Sequence, residues 1–295
     1  MVMKRRKLFI FSTAYRPLVG GVEIAIQEVA RRLATEFEIV VITSRFSRKV
    51  ARSEVSCEGT VIRVGVGGSL DKWLLPLLGC LAAARRMRAD DAAVLWGVDI
   101  SQGALAALGC KLLFPRSRFV LTIQYGYGDA RLAGGRFGAI RKAFEWMLRG
   151  ADEVTVISSY LAEVARLYRY RGKIHLIPNG VALDEFGVAE PIPKKEPPVI
   201  ITASRLIEKN GIDTLIRAFA GLKRRSVAAQ CWIAGDGPER SRLERLVEGL
   251  ELQRDVRFLG NVPHEKLPAL LHEARIFVRL SRSEGMGNSF VEALA

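Results

Sequence analysis

The chain has 295 residues, 49% of them hydrophobic and 26% charged, a globular balance that excludes intrinsic disorder and collagen-like structure and gives room for two domains. Lys plus Arg at 45 against Asp plus Glu at 31 leaves a net charge of +14, which favours anionic partners: nucleotides, nucleic acid or an anionic membrane surface. No apolar run approaches the roughly 20 residues of a membrane span, and the apolar stretch after the basic start is too short for a signal peptide, so a cytosolic chain is expected.

Short apolar runs rich in β-branched residues recur along the chain. The first set is Leu8–Ser12, Ile39–Thr43, Val61–Val64, Ala93–Trp96, Phe119–Ile123, Val154–Ile157 and Ile174–Ile177. The second is Val199–Ala203, Gln230–Ala234, Val256–Leu259 and Ile276–Leu280. Such continuous apolarity marks strands buried on both faces, as in a parallel sheet. The intervening stretches carry helical periodicity: Val22, Ile26, Val29 and Leu33 share one face, as do Ile212, Leu215, Ile216, Phe219 and Leu222, and again Leu243, Leu246, Val247 and Leu250. Strand–helix alternation on this scale predicts an α/β protein with doubly wound parallel sheets.

The alternation breaks once. Residues 190–198 hold four prolines in nine positions, a stiff connector, since proline blocks helix and cannot donate to a sheet ladder. It divides the chain into a domain over 1–187, a linker over 188–198 and a second domain over 199–295. The second domain is short and its final helix has barely begun at Ala295, so it is expected to be incomplete. Cys57, Cys80, Cys110 and Cys231 lack metal-ligand spacing and read as reduced thiols, mostly in the core. With three scattered histidines, no metal site is expected.

In open α/β sheets, ligands bind beyond the carboxyl ends of the strands, where helix N-termini offer free N–H groups. No Gly-x-Gly-x-x-Gly follows the first strand and no phosphate-binding Gly-x-x-x-x-Gly-Lys-Ser/Thr occurs, which argues against nicotinamide oxidoreductases and P-loop enzymes. Gly65-Val66-Gly67-Gly68 and Gly235-Asp236-Gly237 are too loose to count. Four turns remain. Gly20-Gly21-Val22-Glu23 lets a phosphate approach backbone before a helix, or is a plain tight turn with Glu23 offsetting the dipole. Ser204 to Gly211 carries Arg205, whose planar fork matches two phosphate oxygens, and Lys209, a compact point charge; alternatively, these are surface charges paired with Glu208 and Asp213. Ser281 to Glu292 places Glu284 and Glu292 across a glycine-rich turn with Gly285, Gly287, Asn288 and Ser289, suited to sugar hydroxyls and phosphate oxygens. The structural alternative is a capping box, Ser289-x-x-Glu292. Ile123 to Asp129, with Gln124, is placed to line a cleft.

These residues resemble a known family. Ser281-x-x-Glu284-Gly285-x-Gly287-x-x-x-x-Glu292-Ala293-x-Ala295 is similar to the glutamate-pair signature of glycosyltransferase family 4, retaining nucleotide-sugar enzymes of GT-B fold. Further matches follow in the family's order: Gly20-Gly21-Val22-Glu23, Ile177-Pro178-Asn179-Gly180-Val181, Arg205-Leu206-x-x-Lys209-x-Gly211-Ile212, Ala234-Gly235-Asp236-Gly237-Pro238 and Phe258-Leu259-Gly260.

The resemblance implies two Rossmann-like domains facing a cleft, the second truncated. It implies that Gly20 and Gly21 line the donor diphosphate and that Arg205 and Lys209 neutralise it. Glu284 would hold hydroxyls of the transferred sugar, with Gly285, Gly287, Asn288 and Ser289 close by, and Glu292 would hold the ribose. Arg205 and Lys209 would replace a metal, and no cofactor is implied beyond a nucleotide-sugar co-substrate, UDP- or GDP-linked. Two departures stand out: Gln124 occupies the place of a frequent histidine, and Ala182 that of the usual aspartate after Pro-Asn-Gly-Val.

The expected function is transfer of a sugar to a glycan or lipid-linked acceptor in cell-surface polysaccharide or lipopolysaccharide biosynthesis. The alternatives are a GT-B epimerase or hydrolase of nucleotide sugars, or a basic membrane- or nucleic-acid-binding protein without catalysis. The last leaves the ordered Glu, Arg and Lys turns unexplained, so nucleic acid is not an expected partner. Trp73, Leu74 and Leu75 beside Lys72, with Arg85, Arg86 and Arg88 beyond, form either a core helix or an interfacial one. A peripheral place on the inner face of the plasma membrane fits the second form.

Overall fold

The computed structural model describes residues 5–18, 20–88, 92–124, 138–187 and 195–295. The chain forms two α/β units, divided between Pro178 and Asn179.

The first unit is built on an eight-stranded sheet. Its strands are β1 (Arg6–Phe11), β2 (Phe37–Ser44), β3 (Ser53–Ser56), β4 (Gly59–Val64), β5 (Val94–Val98), β6 (Arg118–Ile123), β7 (Glu153–Val156) and β8 (Ile174–Leu176). They lie in the order β3-β4-β2-β1-β5-β6-β7-β8. Every pairing is parallel except β3 with β4. Central β1 pairs Leu8 with Ile39 on one side and with Val94 on the other. Phe9, Ile10 and Phe11 are fully buried, as residues of a strand covered on both faces must be. All seven apolar runs of this region are strands. The eighth, β3, is a half-exposed edge hairpin strand with Val55 pointing outward, so no apolar run marks it.

The glycines at 65–68 close around a carboxylate from their own chain. Asp71 accepts from the N–H groups of Val66 at 3.0 Å, Gly67 at 2.7 Å and Gly68 at 3.2 Å. Burial pushes the Asp71 carboxyl up, but these donors outweigh it and hold it below the usual range. This loop is an anion nest already filled.

The second unit has a four-stranded parallel sheet, β11-β10-β9-β12, from β9 (Val199–Ala203), β10 (Gln230–Ala234), β11 (Val256–Gly260) and β12 (Ile276–Phe277). Alternate β9 residues face opposite cores. Ile200 joins Ile212, Ile216, Phe219, Leu243 and Val247 from helices Ile212–Arg224 and Arg240–Gly249. Ile201 joins Trp232 and Ala274 on the other face.

Two expectations change here. Residues 179–187 belong with the second unit, not the first: Val181 and Phe186 pack against Ala203, Ala234 and Leu267. Of the proline-rich connector, 188–194 lie outside the described residues; Lys195 and Glu196 pair with Glu273 at 2.8 Å and Arg275 at 2.9 Å. The run Ile276–Leu280 is also a strand for only two residues, because Arg279 turns its charged head back into the sheet end.

The loops beyond the sheet approach backbone to backbone. Gly211 has φ +65°, and a Cβ there would sit 1.9 Å from the carbonyl oxygen of Leu280. Gly211→Ala is therefore expected to destabilise the protein by about 1–3 kcal/mol or more, from left-handed strain plus the collision. Gly249→Ala, where a Cβ meets nothing within 4 Å, is the control and is expected to be neutral or slightly stabilising. Equal urea midpoints for the two variants would contradict this account.

Candidate functional site

All strands of the second unit run parallel, so their carboxyl ends share one edge, and the sequence-assigned turns of this unit emerge there. The basic turn follows β9. Asn210 Nδ2 donates to the carbonyl oxygen of Arg205 at 2.6 Å, and the N–H of Ile207 reaches the same oxygen at 2.9 Å, which fixes the turn's backbone. Next to it, the Leu206 N–H donates to the Asp236 carbonyl at 2.9 Å, and Gly235 lies so close that a Cβ would be 1.9 Å from the Ser204 carbonyl oxygen. Glycine is required at 235 for this interlock.

Asp213 is not the partner of Arg205. Arg282 takes Asp213, donating from Nη2 to Oδ1 at 2.9 Å and Oδ2 at 2.8 Å, and bonds the Glu208 carbonyl as well. The Arg282 hydrogen bond holds the Asp213 carboxyl below its usual range. The Arg205 side chain is exposed and makes no ion pair among the described residues, whereas Lys209 is half-buried. The Arg282 N–H also donates to the Lys209 carbonyl at 2.7 Å, tying the basic turn to the acidic one.

In the acidic turn, the helix Asn288–Leu294 starts from Gly287, which puts Ser289 inside the helix. No capping box forms at Ser289. Its hydroxyl instead accepts from Arg279 Nη1 at 2.8 Å, and Glu292 turns to His264, with Nε2 to Oε1 at 3.0 Å. Arg279 also reaches Glu284, Nη2 to Oε2 at 2.5 Å, and the Ala203 carbonyl at 3.1 Å. Asn288 Oδ1 accepts from Asn179 Nδ2 at 2.8 Å. The structure thus gathers Arg205, Lys209, Glu284, Gly285 and Gly287 on turns, and Asn288, Ser289 and Glu292 on the helix that follows, at one sheet edge.

The remaining assigned residues lie in the first unit. Gly20 precedes the helix Gly21–Leu33, and its N–H donates to Glu23 Oε2 at 2.9 Å. Burial pushes the Glu23 carboxyl up against that hydrogen bond. Gln124 follows β6 and is buried, with an Oε1 that has no hydrogen-bond partner among the described residues. Beside it, Thr122 Oγ1 accepts from Trp96 Nε1 at 2.6 Å and lies 2.6 Å from Thr155 Oγ1. Tyr125 to Asp129 lie outside the described residues. Among the described residues, no three His, Cys, Asp or Glu side chains gather as metal ligands.

Sequence reasoning missed Arg279, Arg282 and His264. Arg279 interrupts an apolar run, a signal that was open to reading; the other two carry none. His264 sits on the short turn His264–Lys266, with the Phe186 ring 5.2 Å from its own. The Glu292 hydrogen bond raises its pKa above the ordinary value of 6.5. A raised pKa means stability fully present below about 6.5 and lost as pH rises through the folded value. The melting-temperature gap between wild type and His264→Gln is therefore expected to be widest below pH 6.5 and to close toward alkaline pH. A gap that widens with pH would reverse the assignment.

Comparison with known proteins identifies the family and the fold. Residues 19–185 match the model of glycosyltransferase family 4, and residues 187–295 that of the group 1 glycosyl transferases. The GPI3 subunit of phosphatidylinositol N-acetylglucosaminyltransferase from Saccharomyces cerevisiae is 28% identical over 52% of this chain and 36% of its own. The GDP-mannose-dependent α-(1-6)-phosphatidylinositol monomannoside mannosyltransferase from Mycolicibacterium smegmatis is 31% identical over 62% of this chain and 50% of its own. The chain thus spans about half or less of the length of these curated relatives. Sucrose-phosphate synthase from Thermosynechococcus elongatus shares the fold, with a TM-score of 0.81 at 21% identity over 98% of this chain and 79% of that one. With two parallel α/β units of GT-B type and a family match over more than half its length, this chain belongs to glycosyltransferase family 4.

Proposed function

We propose that the protein is a retaining, metal-independent glycosyltransferase. It moves a sugar from a nucleotide-sugar donor, UDP- or GDP-linked, to a glycan or lipid-linked acceptor in cell-surface polysaccharide or lipopolysaccharide biosynthesis. The observation that carries this is the meeting of a cationic and an anionic turn on one sheet edge, joined by the Arg282 N–H to the Lys209 carbonyl. A nucleotide sugar has both complements, a diphosphate and sets of vicinal hydroxyls. Arg205 and Lys209 meet the diphosphate, and their charge stabilises it as the leaving group. Glu284 accepts from hydroxyls of the transferred sugar beside Gly285, Gly287, Asn288 and Ser289, and Glu292 accepts from the ribose. In the first unit, Gly20 and Gly21 stand at a helix start where glycine lets an anion approach the backbone, and the Gln124 Oε1, without a hydrogen-bond partner among the described residues, asks for a hydroxyl donor.

The test is a thermal-shift screen against UDP-, GDP- and ADP-sugars, in which binding to the folded state raises the melting temperature. With the donor so identified, Arg205→Ala is expected to cut turnover by about 10²-fold or more, the scale of losing one preorganised charge. Turnover close to wild type in that variant would remove the diphosphate role.

A peripheral place at the cytoplasmic face of the membrane belongs to the same proposal. The helix Asp71–Ala84 is a core helix on one face, with Leu75, Gly79, Cys80, Ala82 and Ala83 buried. On the opposite face, Leu70, Leu74, Leu77 and Leu81 form an exposed stripe at helical spacing, and Leu77 is 66% exposed. Exposed Arg85, Arg86 and Arg88 follow it. Leucines to enter acyl chains, with arginines to meet headgroups, fit an anionic bilayer. Among the described residues, no helix is long and apolar enough to cross one. The double variant Leu74→Glu and Leu77→Glu is expected to abolish flotation with phosphatidylserine-containing vesicles while leaving donor binding intact. Undiminished flotation would place membrane contact elsewhere.

A further inference from the structure

We infer that Arg279 is the positioning residue of the donor site, acting through Glu284; this inference rests on the donor reading above. A guanidinium has five N–H donors, and the structure accounts for four of Arg279's. Nε donates to Ser281 Oγ at 3.1 Å. Nη1 donates to the Ala203 carbonyl at 3.1 Å and Ser289 Oγ at 2.8 Å, and Nη2 to Glu284 Oε2 at 2.5 Å. One planar group thus joins the end of β9, the loop of Ser281 and Glu284, and the start of the helix Asn288–Leu294. Its side chain is 11% exposed and that of Glu284 20%.

The arrangement is asymmetric at the carboxylate. Arg279 and, at 3.4 Å, the Ser281 hydroxyl both take Oε2. Oε1 makes no hydrogen bond among the described residues. Arg279 therefore fixes the carboxylate's rotation and reserves one oxygen for a hydroxyl of the transferred sugar. Its remaining donors are consumed by the protein, so it has little left for a phosphate. Space for the guanidinium comes from Gly287, where a Cβ would lie 2.9 Å from Arg279 Cζ. The Phe290 ring, with its centroid 6.0 Å from Cζ, covers one face. A lysine could keep the charge but not the fork.

The experiment measures donor hydrolysis, as nucleoside diphosphate release from UDP-glucose, UDP-N-acetylglucosamine and GDP-mannose, together with calorimetric binding of UDP and GDP. The proteins are wild type, Arg279→Leu, Arg279→Lys, Glu284→Gln and the double variants. Arg279→Leu is expected to lower kcat by about 10- to 100-fold and to leave diphosphate affinity within about twofold, because the contact it orients lies beside the bond being broken. Arg279→Lys should fall between it and wild type. On the Glu284→Gln background, Arg279→Leu should cost less than about threefold, since residues acting as a unit are not additive. A full cost on that background, or a loss of diphosphate affinity in step with kcat, overturns the inference and leaves the donor reading standing. If Arg279→Leu fails to fold, the cycle with Arg279→Lys decides by the same criterion. A wild type that binds neither UDP nor GDP and hydrolyses none of the three sugars overturns the donor reading, and this inference with it.

Discussion

Parallel strands can end only on a common edge, and each needs a crossover to return, so the chain is carried back to that edge once per strand. In the second unit this constraint assembles the candidate site: turns after β9, β10 and β12 emerge side by side although 76 residues separate Ala203 from Arg279. Backbone contacts then lock the turns to one another. Gly211 abuts Leu280, Gly235 abuts Ser204, and the Arg282 N–H reaches Lys209. None of these contacts involves a side chain of the candidate site, and all of them set where those side chains start.

Charge is sorted on this frame by geometry more than by number. Three arginines lie within reach of the edge, and each has a different occupation. Arg282 is spent on Asp213 and on backbone oxygens, Arg279 on Glu284 and the sheet end, and Arg205 is held by its backbone with its head in solvent. A fork whose donors are taken by several protein acceptors is a structural tie, while one held only through its backbone on a rigid turn is available to a ligand. The first unit shows the converse case at Asp71, where a glycine-rich loop that resembles an anion site carries its own anion.

The strands were legible because burial on both faces demands unbroken apolar runs, and eleven such runs coincide with strands. What escaped notice had no such demand. Strand β3 is an exposed hairpin edge, and β12 shrinks to two residues because Arg279 prefers the acceptors at the sheet end to the ladder. The first unit's boundary was placed at the prolines, yet Phe186 buries itself against Ala203 and Leu267, which a linear reading has no means to weigh. Motif spacing located Glu284 and Glu292 but not their partners: Arg279 and His264 are chosen by tertiary proximity, five and 28 residues away. The same proximity decided against the capping box, since Arg279 claims the hydroxyl of Ser289 that would have closed it.

The leucine stripe of the helix Asp71–Ala84 also governs how the molecule behaves away from any bilayer. Four aligned apolar side chains in water attract their counterparts on a second copy, and the mutual repulsion of chains bearing +14 charge opposes that approach. The repulsion reaches about 10 Å at 0.1 M salt and about 3 Å at 1 M. Colloidal stability therefore falls as ionic strength rises, and a mild detergent that coats the stripe substitutes for the lost repulsion.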